Sequence, residues 1–173
     1  MKLGLFLMPS HPPERTPYDA QQWNLDCLEM ADNYGYDEAW IGEHFTSPWE
    51  PVPSPDILIA QALMRTKNIK LGTGAHLLPF HHPVELAHRV AFLDHLAQGR
   101  YMFGIGSGGL QSDHELFDVD MESGEHREMT RESLDIILKV WEHIEGPFKY
   151  EGKFWNFSIP DPKEYEFADH PRL

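Results

Sequence analysis

The sequence predicts an α/β protein in which parallel strands alternate with helices. Short apolar runs begin near residues 3, 39, 69 and 101, and a helical pattern with its own start signal separates each run from the next. Parallel strands need a crossover of this kind, so the alternation predicts right-handed βαβ units. Eight such units form a barrel of about 250 residues. The 173 residues hold about four units, which fits either a small doubly wound domain or the N-terminal half of a (β/α)₈ barrel.

The first two strands and the helix between them have plain signals. Leu3 to Met8 is an apolar run. In Thr16-Pro17-Tyr18-Asp19 a capping threonine precedes a proline, which is a typical helix start, and Gly35 is placed to end that helix. The second strand, Ala39 to Gly42, leads directly into the polar pair Glu43-His44. Ligands of parallel α/β proteins bind at the carboxyl ends of the strands, so this pair is the first candidate for a site.

The next two units repeat the pattern. Ser54-Pro55-Asp56 starts the second helix, and Ile69 to Ala75 is the third strand. Pro83 starts a third helix, which Gln98-Gly99 ends, and Tyr101 to Gly106 is the fourth strand. We therefore expect four parallel strands whose carboxyl ends lie at residues 42, 75 and 106 and near residue 8.

The remainder of the chain has weaker signals. Residues 111–128 are polar and show no clear helix, whereas the apolar residues from Leu134 to Trp141 recur at helical spacing. Residues 148–173 contain three prolines and are predicted to be an irregular tail. We expect residues 1–173 to form a single domain.

Composition excludes several classes of function. Acidic residues outnumber basic ones by 28 to 14, and a net charge of −14 would repel phosphate backbones, so we expect no nucleic-acid partner. No apolar run has the length of a membrane span and the N-terminus does not resemble a signal peptide, which predicts a cytoplasmic protein without a membrane partner. The chain has 11 histidines, but none in a metal-binding motif, so no metal site is predicted.

Four segments, in this order and spacing, resemble the bacterial luciferase-like flavin monooxygenases. The resemblance extends from Met1 to about Trp155, and the residues after Glu43-His44 are most similar to the limonene and diketocamphane monooxygenase branch. The four segments are Ala39–Phe45, Leu71–Pro79, His82–Ala87, and Leu93–Arg100 leading into Tyr101–Gly109.

This resemblance implies a fold and a chemistry. Members of the family are (β/α)₈ TIM barrels, so the chain would be the N-terminal half of one. They bind reduced FMN, or in one branch a deazaflavin, at the carboxyl ends of the strands. The monooxygenases use it with O₂ to oxygenate a small apolar aldehyde, ketone or alkene, and a separate flavin reductase commonly supplies the reduced flavin. The alternatives are a non-catalytic half-barrel that serves as a flavin-binding or assembly module, and a deazaflavin-dependent oxidoreductase.

The resemblance also implies roles for individual residues. His44 matches a histidine that acts in acid–base chemistry beside the flavin, and Asp113 falls at an acidic position that we group with it as catalytic. Gly74-Ala75 matches a pair joined by a cis peptide beneath the flavin ring. Gly106-Ser107-Gly108 matches the turn that lies along the flavin and its phosphate. For Glu43, two roles stay open: orienting His44, or pairing with a neighbouring helix.

Two residues depart from the luciferase pattern. Phe45 stands where luciferase has a second histidine. Ser107 stands where luciferase has an arginine on the flavin phosphate, so a bidentate phosphate contact is missing there. Gly104, Gly106 and Gly109 formally match the dinucleotide fingerprint, but they follow the fourth strand rather than the first, which favours a tight turn beside a flavin or a structural turn.

A half-barrel would leave two sheet edges and its inner face uncovered. Leu5, Leu7, Trp40 and Ile105 are candidate residues of that inner face. Open edges and apolar surface recruit partners. We therefore expect a homo-oligomer, or association with the missing half of the barrel.

Overall fold

A computed structural model of the chain describes residues 1–8, 10–143 and 146–161. Strands and helices alternate through the first two thirds of it, as predicted, and a pair of strands follows the last helix. In chain order the elements are β1 (Gly4–Leu7), α1 (Pro17–Asn33), β2 (Glu38–Ile41), α2 (Pro55–Arg65), β3 (Lys70–Thr73), β4 (His76–Leu77), a 3₁₀ turn (Leu78–Phe80), α3 (Pro83–Ala97), β5 (Tyr101–Met102), β6 (Ile105–Gly106), α4 (Gln111–Leu116), α5 (Glu125–Glu142), β7 (Phe148–Glu151) and β8 (Asn156–Ile159).

The central sheet is parallel and has the strand order β1-β2-β3-β5. This confirms the predicted βαβ units. The predicted fourth strand is divided into β5 and β6, and β4 lies just beyond the predicted third strand. β4 and β6 pair with each other in a separate two-stranded parallel sheet. At the interruption, the Thr73 hydroxyl donates to the Gly104 carbonyl at 2.9 Å and accepts from the Gly104 N–H at 3.1 Å. A side chain thus takes the place of a ladder bond between the two strands.

The two faces of the sheet have different neighbours. Leu5 and Leu7 pack in the core beneath the helices, so their predicted place on the inner face is wrong. Phe6 and Trp40 are paired in the register and lie on the opposite face, where Phe6 is 58% exposed. A Cβ on Gly72 would come within 2.6 Å of the Trp40 ring, so the indole lies across this glycine.

The helices begin at the predicted signals. The Thr16 hydroxyl accepts a hydrogen bond from the Asp19 N–H at 3.2 Å, which caps α1. Gln98 ends α3 in the left-handed conformation, with φ 51°. Among the described residues, no helix is long and apolar enough to cross a membrane.

The structure differs from the prediction after residue 110. The polar stretch contains α4, and α5 begins at Glu125 rather than near Leu134. Met129 is the one apolar residue among residues 125–132, the first two turns of α5, so the sequence gives little helical pattern there. Residues 148–159 form the antiparallel hairpin of β7 and β8 instead of an irregular segment. Residues 162–173 of the predicted tail lie outside the described residues.

The Glu132 side chain holds the turn of the hairpin against α5. The Glu132 carboxylate accepts hydrogen bonds from the backbone N–H groups of Lys153, Phe154 and Trp155, each at 3.1 Å. Tyr150 and Phe157, which face each other across the two strands, stack with ring centroids 5.5 Å apart. The alternation of aromatic and polar residues here is too short to predict a strand.

Candidate functional site

His44 follows the carboxyl end of β2 and is held between two carboxylates. Its Nδ1 lies 3.2 Å from Oδ2 of Asp113, and its Nε2 lies 3.2 Å from Oε2 of Glu50. Its backbone N–H donates to the Val52 carbonyl at 3.1 Å. The imidazole side chain is 19% exposed. Both ring nitrogens thus have an acceptor in a fixed direction, while part of the ring stays open to solvent.

Asp113 organises the loop that carries His44. This carboxylate is fully buried, and its Oδ1 accepts hydrogen bonds from the backbone N–H groups of Phe45 (3.2 Å) and Thr46 (2.7 Å) and from the Thr46 hydroxyl (2.6 Å). Burial alone would raise the pKa of Asp113, but the hydrogen bonds from Thr46, His44 and Phe45 outweigh it and lower that pKa. Asp113 is therefore a carboxylate at neutral pH, brought from 69 positions away to orient the imidazole.

The peptide between Gly74 and Ala75 is cis, as expected from the resemblance. The Gly74 N–H donates to the Ile41 carbonyl at 2.7 Å, so this peptide lies beside the strand that leads to His44. A Cβ on Gly74 would come within 2.9 Å of the Phe6 ring. The pair therefore lies on the inner face of the sheet, next to exposed aromatic surface.

The turn of Gly106, Ser107 and Gly108 adjoins this peptide. A Cβ on Gly106 would come within 3.3 Å of the Ala75 Cβ. Gly108 has φ +82°, and a Cβ there would come within 2.8 Å of Nε2 of the buried His114. Glycine at position 108 thus permits both the left-handed backbone conformation and the close approach of the His114 ring. The predicted site residues therefore lie on four neighbouring segments at the carboxyl ends of the strands: the loop after β2, the Gly74-Ala75 peptide, the Gly106–Gly108 turn, and α4, which carries Asp113.

Glu43 does not orient His44. Its side chain is buried on the other side of the backbone, where Oε2 accepts the Leu77 N–H at 2.6 Å and Oε1 lies 2.8 Å from Nε2 of His81. Neither role that the sequence left open fits these contacts, because Glu43 faces a strand residue and a loop histidine rather than His44 or a neighbouring α-helix. Glu43 holds the segment between β4 and α3.

His76 completes a cluster of three potential metal ligands with Glu43 and His81. One ligand atom from each lies within 4.8 Å of the others. The guanidinium of Arg89 lies 3.4 Å from Nδ1 of His81, which makes that nitrogen the acceptor and leaves the proton on the nitrogen that faces Glu43. A metal at that nitrogen would replace the proton close to a fixed cation. The arrangement therefore fits a hydrogen-bonded charge network better than a metal site.

The charge of Glu43 should make stability depend on pH in the acid range. Burial alone would raise its pKa, but His76 and His81 lower it from 4.5 to about 2. A lowered pKa in the folded state stabilises the protein above the unfolded value, and this contribution is lost as pH falls through the folded value. We expect a loss on the order of 3 kcal/mol between pH 4.5 and 2, measured by urea unfolding at each pH. The loss should shrink in Glu43→Gln, and an unchanged slope in that variant would contradict the assignment.

Sequence reasoning missed the partners of the predicted residues. Glu50, His76 and His81 have no recognisable spacing to Glu43 and His44, because they come from separate loops. The only signal that could have pointed to His76 and His81 is their position after the third strand, at the edge where site residues gather.

Comparison with known proteins agrees with the family resemblance seen in the sequence. A family model described as "Luciferase-like monooxygenase" matches residues 1–171. The oxygenating constituent of 3,6-diketocamphane monooxygenase from Pseudomonas putida, a Type II Baeyer-Villiger monooxygenase solved in complex with FMN, superposes with a TM-score of 0.89 and 36% identity. That superposition covers 100% of this chain and 47% of the solved chain.

Two curated relatives show the same partial coverage. Limonene 1,2-monooxygenase of Rhodococcus erythropolis is 39% identical over 79% of this chain and 35% of its own length. The oxygenase component of a flavin-dependent trigonelline monooxygenase from Acinetobacter baylyi is 29% identical over 94% of this chain and 46% of its own length. The curated relatives that match nearly all of this chain are about twice as long, so the chain spans about half of their length. Its fold is the N-terminal half of the luciferase-like barrel.

Proposed function

The chain belongs to the luciferase-like monooxygenase family, and from this premise we propose that it supplies the flavin-facing half of a flavin-dependent monooxygenase. The reaction would use reduced FMN and O₂ to oxygenate a small apolar aldehyde, ketone or alkene. The observation that carries the proposal is the position of His44. Its imidazole is held between Asp113 and Glu50, three residues beyond the strand end that bonds to the Gly74-Ala75 segment.

The residues present fit a flavin. The Gly74-Ala75 peptide and the Gly106–Gly108 turn are two adjoining segments, because a Cβ on Gly106 would come within 3.3 Å of the Ala75 Cβ, and their close packing lets both border one surface for a flat ring system. Phe6 and Trp40 on the inner face add apolar surface beside Gly74. The Gly106–Gly108 turn offers backbone N–H groups and the Ser107 hydroxyl to a phosphate, although no guanidinium stands at position 107.

Each group would have a distinct task. Bound reduced FMN would supply the centre that reacts with O₂. His44 would hold or move a proton at one of its ring nitrogens, as imidazoles do near neutral pH. Asp113 and Glu50 would fix the direction of those nitrogens.

FMN is the proposed cofactor because the FMN complex comes from a relative of 36% identity. A small apolar substrate follows from the diketocamphane and limonene monooxygenases among the relatives. A separate flavin reductase is the proposed partner, since one relative is named an oxygenase component.

Product analysis tests the proposal. The protein encoded by the complete reading frame (the full-length product) would be mixed with cyclic ketones and terpenes under ¹⁸O₂, while a flavin reductase and NADH supply reduced FMN. We expect an organic product that contains one ¹⁸O atom more than the substrate and that forms only when FMN and the reductase are both present. Saturable FMN binding without such a product from any substrate would favour the non-catalytic flavin-binding alternative.

A further inference from the structure

Glu43 and Asp113 perform parallel tasks on the two sides of the strand end that carries His44. Asp113 accepts the backbone N–H groups of the loop that follows His44. Glu43 accepts the N–H of Leu77, two residues after the cis Gly74-Ala75 peptide. Both carboxylates are almost fully buried, at 2% exposure for Glu43 and 0% for Asp113. Asp113 therefore fixes the loop after His44, and Glu43 fixes the segment after the Gly74-Ala75 peptide.

The outer end of the Glu43 contact is fixed by a chain of polar and charged groups. Glu43 contacts His81, and the other ring nitrogen of His81 faces the guanidinium of Arg89. Arg89 also forms an ion pair with the buried Asp56 at the start of α2, with Nε and Oδ2 2.5 Å apart. The network thus ties the end of β2 to the N-terminal halves of α2 and α3. Its geometry leaves the Glu43 carboxylate one orientation, with Oε2 aimed at the Leu77 N–H.

We propose that Glu43 is a positioning residue that accepts the Leu77 N–H and thereby fixes the segment of the Gly74-Ala75 peptide against which a flavin would lie, with His81 and Arg89 fixing its carboxylate. The meaning of this position for flavin rests on the proposed function; the anchoring of Leu77 does not. Glu43 touches neither His44 nor the open inner face, so its effect on a flavin would pass through the backbone of residues 74–77. A buried acceptor with a charge makes the anchor stronger than an ordinary neutral hydrogen bond.

Amide hydrogen exchange of the 173-residue chain tests the anchor without a flavin. In Glu43→Ala the Leu77 N–H loses its acceptor, and we expect its exchange to become faster by about tenfold or more. In Glu43→Gln an amide oxygen can still accept from Leu77, so the increase should be smaller. His82→Ala is the matched control, because this exposed neighbour of His81 has no capping hydrogen bond from its side chain. Exchange at Leu77 that is equal in wild type and in a folded Glu43→Ala would overturn the anchor.

Flavin binding by the full-length product tests the consequence. We expect Glu43→Ala to raise the Kd for FMN by roughly tenfold and to shift the visible spectrum of the bound flavin, while His82→Ala changes neither. Glu43→Gln should lie between them, and it decides the matter if Glu43→Ala does not fold. A folded Glu43→Ala with faster Leu77 exchange but wild-type Kd and flavin spectrum would overturn the positioning role. A wild-type protein that binds no FMN would contradict the proposed function, whereas the exchange result would still stand for the anchor.

Discussion

Replacing His44 with alanine is expected to lower the turnover of the full-length product by about 10²-fold or more, with little change in fold. The imidazole lies at the carboxyl end of β2, partly open, and both of its nitrogens are aligned by carboxylates. Its removal takes away an imidazole, the side chain best suited to general acid–base chemistry. The loss should appear in kcat more than in KM, because His44 acts on the reaction rather than on flavin affinity.

Asp113→Asn is a useful companion to this variant. An amide keeps the shape of the side chain but removes the charge that faces Nδ1 of His44. We expect a smaller loss of turnover and a shifted pH profile, whereas His44→Ala should abolish the corresponding limb of the profile. His88→Ala, an exposed histidine on α3, serves as the control. Wild-type turnover in a folded His44→Ala would end the assignment of acid–base chemistry to this residue.

The 173-residue chain by itself is expected to associate rather than remain a monomer. Phe6, Met8 and Ile105 are 58%, 40% and 36% exposed near the inner face and its edge. Within the described part of the chain, the outer edge of β1 pairs with no strand. Covering about 400 Å² of apolar surface would contribute roughly 10 kcal/mol, which is comparable to the stability of a whole domain.

Light scattering measures this association directly. We expect a mass at least twice that of one chain, with either a second copy or the missing barrel half on the inner face. Phe6→Ser should weaken the association by removing the most exposed aromatic ring of that face. A stable monomer at micromolar concentration with native hydrogen-exchange protection would contradict the half-barrel interpretation.

The elements of the first half of the chain were predictable because each has strong local signals. Proline marks the starts of α1, α2 and α3, Thr16 also caps α1 with its side chain, and short apolar runs mark the strands. Which face of a strand turns inward was not predictable. In β1 both faces are apolar, so alternation gives no direction, and Leu5 and Leu7 turned out to face the helices rather than the barrel interior.

The interruptions of the third and fourth strands were also beyond local reasoning. At these breaks the Thr73 hydroxyl donates to the Gly104 carbonyl and accepts from the Gly104 N–H, and only the folded sheet brings these two residues together. The hairpin that follows α5 depends similarly on Glu132, whose carboxylate gathers backbone N–H groups from a distant turn.

The candidate site was also predictable only in part. His44 stood out because a polar residue follows a buried strand, and the resemblance supplied Asp113 and the glycine segments. Glu50 and His81 were missed, because a charged residue in a loop is normally solvated and nothing in the sequence shows which ones turn inward. Their roles became visible only as distances to His44 and Glu43.

Titration with FMN, followed by flavin absorbance, tests most directly whether this chain forms the flavin-facing half of a barrel. Barrels often bind phosphate with loops after their later strands, which lie outside the half that this chain resembles. We therefore expect the 173-residue chain alone to bind FMN weakly or not at all and to show no turnover. A protein in which the other barrel half is present should bind one FMN per chain. Micromolar FMN binding by the 173-residue chain alone would contradict the half-barrel interpretation, and failure of the completed barrel to bind FMN would contradict the flavin site itself.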